Sequence, residues 1–146
     1  MNNSLEPEIE HELQFEVPTS KTVPELYPES DEFQAMPRVF ATGFFVGLVE
    51  WACIQAVNPH LDWPRGQTVG THVDISHEAA TPPGLEVSVR VLLTDVDGRR
   101  LVFEVAAEDG VDTIGRGTHE RFVVDERRFS ERTARKGDRE LIDDEQ

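Results

Sequence analysis

The sequence predicts an α+β domain in which one antiparallel sheet wraps around a single central helix. Three observations predict it. The run from Val39 to Trp51 is almost wholly apolar, which suits a buried helix. Four strand-like segments follow with no second helical pattern between them. Asp97-Gly98 and Asp109-Gly110 separate the last three of these segments as hairpin turns, so consecutive strands should run antiparallel.

The elements are read in order as follows. Residues 1–10 open the chain as a polar, disordered N-terminus. From His11 to Val17, Leu13, Phe15 and Val17 alternate with Glu12, Gln14 and Glu16, the pattern of a half-exposed first strand. Pro18, Pro24, Pro28 and Pro37 make the next stretch a long loop with one helical turn, of the kind that forms lids or binding loops. The central helix should run from Thr42 to Val57 or Asn58, stopped by Asn58-Pro59. Strands are expected over Gln67–Ala79, Glu86–Asp95, Arg99–Glu108 and Asp112–Asp125, with Pro82-Pro83-Gly84 breaking the chain after the first of these. From Glu126 arginines alternate with acids, as in a short solvated helix leading to a frayed tail. Residues 11–129 then form the folded domain and 130–146 a charged C-terminal tail. A single sheet curled on one helix is the hotdog fold. One copy leaves part of the helix and a sheet edge uncovered, so a homodimer is expected.

Length and charge narrow the functions. At 146 residues the chain has room for one domain with a proper core and too little for two. Its formal charge of −15 excludes nucleic acid as a natural partner, because a phosphate backbone would be repelled. Lysines occur only at 21 and 136, and such an acidic, arginine-based surface suits concentrated salt. The lone cysteine, Cys53, excludes an intrachain disulfide and falls inside the apolar helix. No cationic start with an apolar run opens the chain, and no segment approaches the ~20 apolar residues of a membrane span. A soluble cytoplasmic protein with no membrane contact is expected. No Cys-His cluster, glycine-rich phosphate loop or Gly-x-Ser-x-Gly elbow is present, and no cofactor is expected.

The feature with most chemical content is Glu50, a carboxylate inside the apolar run. Burying it alone costs several kcal/mol unless a partner or a raised pKa compensates. Such carboxyls are catalytic candidates, and buried structural ion pairs give the same pattern. Parity puts Thr71, Val73, Ile75 and His77 on one face of their strand, toward the helix. His77 is then either a core histidine bonded to a carbonyl or, with Glu50, a base near neutral pH. Thr42 is either the helix N-cap or a hydroxyl beside free amides that polarise a carbonyl oxygen. Thr113, Gly115, Gly117, His119, Arg121 and Val123 share a face of the last strand. Its small residues signal tight packing or a ligand, and Arg121 suits a carboxylate, a phosphate or an ordinary salt bridge. Eight residues along a helix separate Thr42 from Glu50 by roughly 12 Å. They could meet only across a two-fold axis that crosses two antiparallel helices near Val46 and Gly47, with Gly43 and Gly47 leaving room. A loop that bends Thr42 back over its own helix is the rival arrangement.

Together these residues are recognisable. Lys21-Thr22-Val23, Leu26-Tyr27-Pro28-Glu29-Ser30, Val39 to Cys53, Ala79 to Leu85, Asp109-Gly110-Val111-Asp112 and Gly117-Thr118-His119-Glu120-Arg121 resemble the fluoroacetyl-CoA thioesterase family, over roughly Lys21 to Phe129. The resemblance implies hydrolysis of a short-chain acyl-CoA thioester to free acid and coenzyme A, the coenzyme entering only as part of the substrate. It implies that Thr42, Glu50 and His77 are catalytic, that Gly70 lies near the substrate carbonyl and that Arg121 belongs to the site. Glu50 would be the nucleophile, or the base for Thr42 or water; His77 would activate the hydrolytic water. Phe33 and Phe40 would line the acyl site. Where the fluoroacetyl-specific enzyme carries a phenylalanine lid this chain has Met36, which points to a broader acyl range than fluoroacetyl. The competing function is an acyl-CoA binding or sensing module that keeps the pocket without the chemistry; a hotdog hydratase, expected to carry an aspartate-histidine pair, fits less well.

Overall fold

The computed structural model describes residues 4–145, with side chains described through residue 138. Five strands form one antiparallel sheet: β1 (Glu10–Glu16), β2 (Gly66–Ile75), β3 (Glu86–Asp97), β4 (Arg100–Glu108) and β5 (Thr113–Asp125). Their order across the sheet is β1-β3-β4-β5-β2, leaving β1 and β2 as edges. The short helices α1 (Val23–Leu26) and α2 (Asp31–Gln34) punctuate the proline-rich loop, α3 (Thr42–Val57) crosses the concave face, and α4 (Glu126–Glu145) follows β5.

The long helix α3 has the bounds its sequence implies, because Asn58-Pro59 turns the backbone into a 3₁₀ turn at its end. Phe45, Leu48, Val49, Ala52, Cys53, Ala56 and Val57 form its buried face. That spacing of three and four lays one stripe on the sheet. The sheet answers with Val87, Val89, Val91 and Leu93 of β3 and Leu101, Phe103, Val105 and Ala107 of β4, alternating inward as the pleat requires. The loop between these strands is Gly98-Arg99, and Gly98 supplies its left-handed residue at φ +62°.

Several expectations are corrected. The apolar run from Val39 to Trp51 is not buried all round: Phe44 and Val46 are half-buried, while Gly47 and Trp51 are exposed on the face away from the sheet. Strand β2 ends at Ile75, and a β-bulge between Gly70 and His72 shifts its register against β5. Gly70 therefore pairs with Arg121 and Val73 with His119, so Gly70 takes the inward place that simple alternation assigns to Thr71. Val73 faces inward yet is 44% exposed, because nothing among the described residues covers it. Packing also begins ahead of residue 11: Leu5 is buried against the core, and Ser4 Oγ lies 2.7 Å from His60 Nδ1. Residues 1–3 of the expected disordered segment lie outside the described residues. At the other end α4 continues through the expected boundary at 129.

Candidate active site

Two constellations sit on α3, one at its N-terminus and one two turns further on. At the first, Ala41 occupies the N-cap position, and the Thr42 hydroxyl does not cap the helix. Instead Thr42 Oγ1 lies 2.7 Å from His77 Nδ1. The sequence puts these residues 35 apart. Their meeting is arranged by backbone bonds on both sides: the Phe40 amide donates to Thr81 O at 2.8 Å, the Ala41 amide to Lys21 O at 3.1 Å, and the Glu78 amide to Ile114 O at 2.6 Å. The His77 ring rests against Phe45, with centroids 5.1 Å apart. Phe45 in turn fills the space left by Gly115, where a Cβ would stand 2.8 Å from its ring. The paired small residues of β5 thus serve packing: at Gly115 they admit Phe45 and the Ser76 carbonyl, and at Gly117 the Asp74 carbonyl. Burial pushes the His77 pKa below its usual 6.5, so the ring is neutral near pH 7. Its Nε2 is buried and has no hydrogen-bond partner among the described residues.

At the second constellation Glu50 is 39% exposed, so the carboxylate is not sunk in hydrocarbon. Its compensation is an ion pair: Arg121 donates to Glu50 Oε1 at 2.9 Å. The arginine is the buried member, with 4% of its side chain exposed. Three more of its five N–H donors are used, on Thr68 Oγ1 at 2.8 Å, Thr68 O at 2.9 Å and His119 Nε2 at 3.1 Å. A guanidinium satisfied on several sides is held in one orientation and presents a fixed charge to the carboxylate. Gly70 completes the arrangement. A Cβ there would stand 2.5 Å from Glu50 Oε1 and 3.3 Å from the Arg121 guanidinium, so only glycine leaves the carboxylate its place. Cys53, close by in the core, is inert: burial pushes its thiol pKa up to about 12.

The expected site residues therefore fall into groups. Thr42 and His77 meet; Glu50, Gly70 and Arg121 meet; no hydrogen bond or ion pair joins the two groups within the chain. Phe40 is a core residue, 1% exposed, packed between Phe15 and Phe45. One edge of it, with Phe15, Lys21, Phe44, Leu48 and Trp51, borders a cavity of about 270 Å³ along the uncovered side of α3. Lys21 stands over the Phe44 ring there, 4.8 Å from its centroid. Phe33 of α2 stacks on Tyr27 at 5.5 Å, and Met36, just past α2, is half exposed; neither borders that cavity. The cations Arg90, Arg100 and Arg116 are occupied by Glu12, Glu120 and Glu78 at the surface. Among the described residues no cluster of three His, Cys, Asp or Glu side chains could hold a metal ion, and no helix is long and apolar enough to cross a membrane.

Two buried residues that support the candidate site escape sequence reasoning. His119, wholly buried beneath Arg121, was visible only as a neighbour on the same strand face. Asp109 reads as a turn residue, yet it is buried and accepts from the Thr81 hydroxyl at 2.8 Å and from the Val111 and Asp112 amides at 3.0 and 2.8 Å. Burial works against its charge, but these bonds prevail and hold its pKa below the usual carboxylate value. Through Thr81 it fixes the segment on which Phe40 is hung.

Similarity to known proteins shows the family and the fold. The model of the family "Fluoroacetyl-CoA-specific thioesterase" matches residues 22–127. A fluoroacetyl-CoA thioesterase of Streptantibioticus cattleyicolor is 53% identical over 122 residues, which are 84% of this chain and 87% of that protein. A solved fluoroacetyl-CoA thioesterase structure superposes with a TM-score of 0.89 at 48% identity, covering 92% of this chain and 98% of its own. A Thermus thermophilus hypothetical protein, described as a thioesterase superfamily member, shares the fold at 23% identity with a TM-score of 0.83, covering 96% and 98% of the two chains. The chain belongs to the fluoroacetyl-CoA-specific thioesterase family of hotdog-fold proteins.

Proposed function

We propose that this protein hydrolyses short-chain acyl-CoA thioesters, fluoroacetyl-CoA among them, and that it does so at a site shared between two copies of the chain. The expectation drawn from Met36, that selectivity for fluoroacetyl-CoA is doubtful and the acyl range broader, is corrected by the 53% identical fluoroacetyl-CoA thioesterase and the matching family, which support fluoroacetyl-CoA as a substrate. A threonine-to-serine mutant of a related fluoroacetyl-CoA enzyme has been solved in complex with acetyl-CoA, which supports a two-carbon acyl group as substrate.

The observation that carries the reading is the presence of two half-sites on one helix. Thr42 with His77 lies roughly 12 Å along α3 from Glu50 with Arg121, too far for one thioester carbon to meet both. Between them runs a stripe that nothing among the described residues covers: a Cβ on Gly47 would have no neighbour within 4 Å, and Trp51 is 48% exposed. Gly43, by contrast, makes room for Leu26 of its own chain. An antiparallel second α3 crossing near Gly47 covers that stripe and sets each Thr42 beside the other copy's Glu50. The exposed inward residue Val73 and the free edge of β2 support the same assembly.

In this site the carboxylate of Glu50, ion-paired with Arg121, attacks the thioester carbon or takes the proton of an attacking water. Thr42 and the free amides at the start of α3 donate to the oxyanion that develops on the carbonyl oxygen. Where Glu50 is the nucleophile, coenzyme A leaves as the thiolate when the acyl anhydride forms, and neutral His77 then takes a proton from the water that opens the anhydride and passes it to the thiolate. Where water attacks directly, the proton taken by Glu50 passes through His77 to the thiolate, so the products in both cases are the free acid and coenzyme A. The test is thiol release from acetyl-, fluoroacetyl- and longer acyl-CoAs, followed with a thiol-reactive dye. Turnover that falls by about 10³-fold or more in Glu50→Gln, with binding retained, supports the reading. Tight acyl-CoA binding without release by the unaltered protein would instead establish a sensing module.

A further inference from the structure

We propose that His119 is a positioning residue for the thioesterase reaction: its neutral imidazole holds the Arg121 guanidinium, and through it the Glu50 carboxylate, in reacting orientation. The inference rests on the thioesterase reading above and extends it to a residue that never touches substrate.

The protonation pattern follows from the partners. An arginine only donates, so the 3.1 Å contact between Arg121 and His119 Nε2 requires a bare nitrogen there. The proton is then on Nδ1, which donates to the His72 carbonyl at 2.8 Å. His72 stands at the bulge of β2, two residues after Gly70, where the register against β5 shifts. The chain of bonds thus runs from the bulge carbonyl through the imidazole to the guanidinium, and ends on Glu50 Oε1. The ring is wholly buried, and a Cβ on Gly70 would touch its Cε1 at 3.4 Å, so the imidazole also forms part of the wall beside Glu50. Burial, supported by the neighbouring Arg121 charge and opposed by the His72 carbonyl, keeps its pKa below 6.5. A second cation under the guanidinium would turn an attractive contact into a repulsive one. A buried histidine that only packed the core would have no need of an acceptor turned toward the arginine.

Two conservative variants separate positioning from packing. His119→Gln carries an amide oxygen at the ε position and can still accept from Arg121; His119→Asn carries its amide at the δ position and can serve only the His72 carbonyl. Both variants are read by kcat and KM for acetyl-CoA and by the arginine side-chain NMR signals of protein labelled with ¹⁵N-arginine. Positioning predicts that His119→Gln keeps kcat within about threefold and retains the protected Arg121 signal. His119→Asn should lose that signal and lower kcat about tenfold or more, with KM changed little, as expected for a group displaced by a fraction of an ångström. Equal kcat and equal arginine signals in the two variants, or a better His119→Asn, would overturn the inference. If His119→Asn is not recovered as folded protein, a folded His119→Gln that loses kcat more than tenfold overturns it alone, and one within threefold supports it. Absence of thiol release by the unaltered protein would count against the thioesterase reading; the arginine signals would still decide whether His119 holds Arg121.

Discussion

Gly70→Ala adds a single methyl group at the point where the candidate site is tightest. The new Cβ would stand 2.5 Å from Glu50 Oε1, and ordinary contact begins near 3.4 Å, so the oxygen must move by about 0.9 Å. The Arg121 guanidinium at 3.3 Å and His119 Cε1 at 3.4 Å block the other directions. The carboxylate must therefore swing outward, toward its exposed side, and its 2.9 Å bond to Arg121 lengthens or breaks. A misplacement of about 1 Å costs on the order of 10²-fold in rate, and kcat for acetyl-CoA should fall by about that factor. Stability should hardly change. Losing a part-exposed ion pair costs less than about 1 kcal/mol after solvent screening, and replacing glycine by alanine in a strand returns about 0.5–1 kcal/mol. The assay pairs thiol-release kinetics with a thermal melt. A hundredfold loss of kcat with Tm within a few degrees is the expected result. An alanine variant with unimpaired kcat would show that the Glu50 position seen here is not the one that matters, and the reasoning would fail.

Three further predictions concern pH and the buried aspartate. Because burial lowers the His77 pKa, the base is neutral at pH 7 and is lost only as pH falls through a value below 6.5; the acid limb of kcat/KM should lie there, and a limb at or above pH 7 would contradict the assignment. For the same reason the unfolded chain takes up protons at His77 and His119 before the folded one does, so stability should decline as pH drops below about 6.5, measurable as a falling Tm. Asp109→Ala leaves the Thr81 hydroxyl and two backbone amides without their acceptor, which should cost about 3 kcal/mol and lower Tm by roughly 10 °C; a shift under 2 °C would mean the buried bonds contribute little.

Much of this architecture was legible in the sequence, for physical reasons that can be named. Helix α3 was readable because an apolar run ended at Asn58-Pro59, and most inward residues of β5 because Gly115, Gly117, His119, Arg121 and Val123 alternate. Thr113, expected on the same face, is exposed, and Ile114 is buried instead where the register against β4 shifts. The bulge at Thr71 was not readable, since one inserted residue leaves no compositional trace, and it decides that Gly70 faces Glu50. The burial of Glu50 was misjudged for a related reason. An apolar residue on α3 looks the same whether it meets its own sheet, as Val49 does, or is left bare, as Trp51 is. The partner of Glu50 was equally hidden: Arg121 lies 71 residues away, and only the folded sheet brings it in. Thr42 shows the reverse case, where a residue type that suits an N-cap turned its hydroxyl to His77 instead.

The central claim, that the half-sites of two chains make one catalytic site, is tested most directly by mixing two inactive variants. Thr42→Ala and Glu50→Gln, each inactive alone, are unfolded together and refolded, and thiol release from acetyl-CoA is measured. A shared site predicts recovery to about a quarter of the unaltered activity, since half of randomly formed dimers are mixed and each mixed dimer holds one intact site of two. Mixed dimers that form and stay as inactive as their parents would show that Thr42 and Glu50 act within one chain or not together at all.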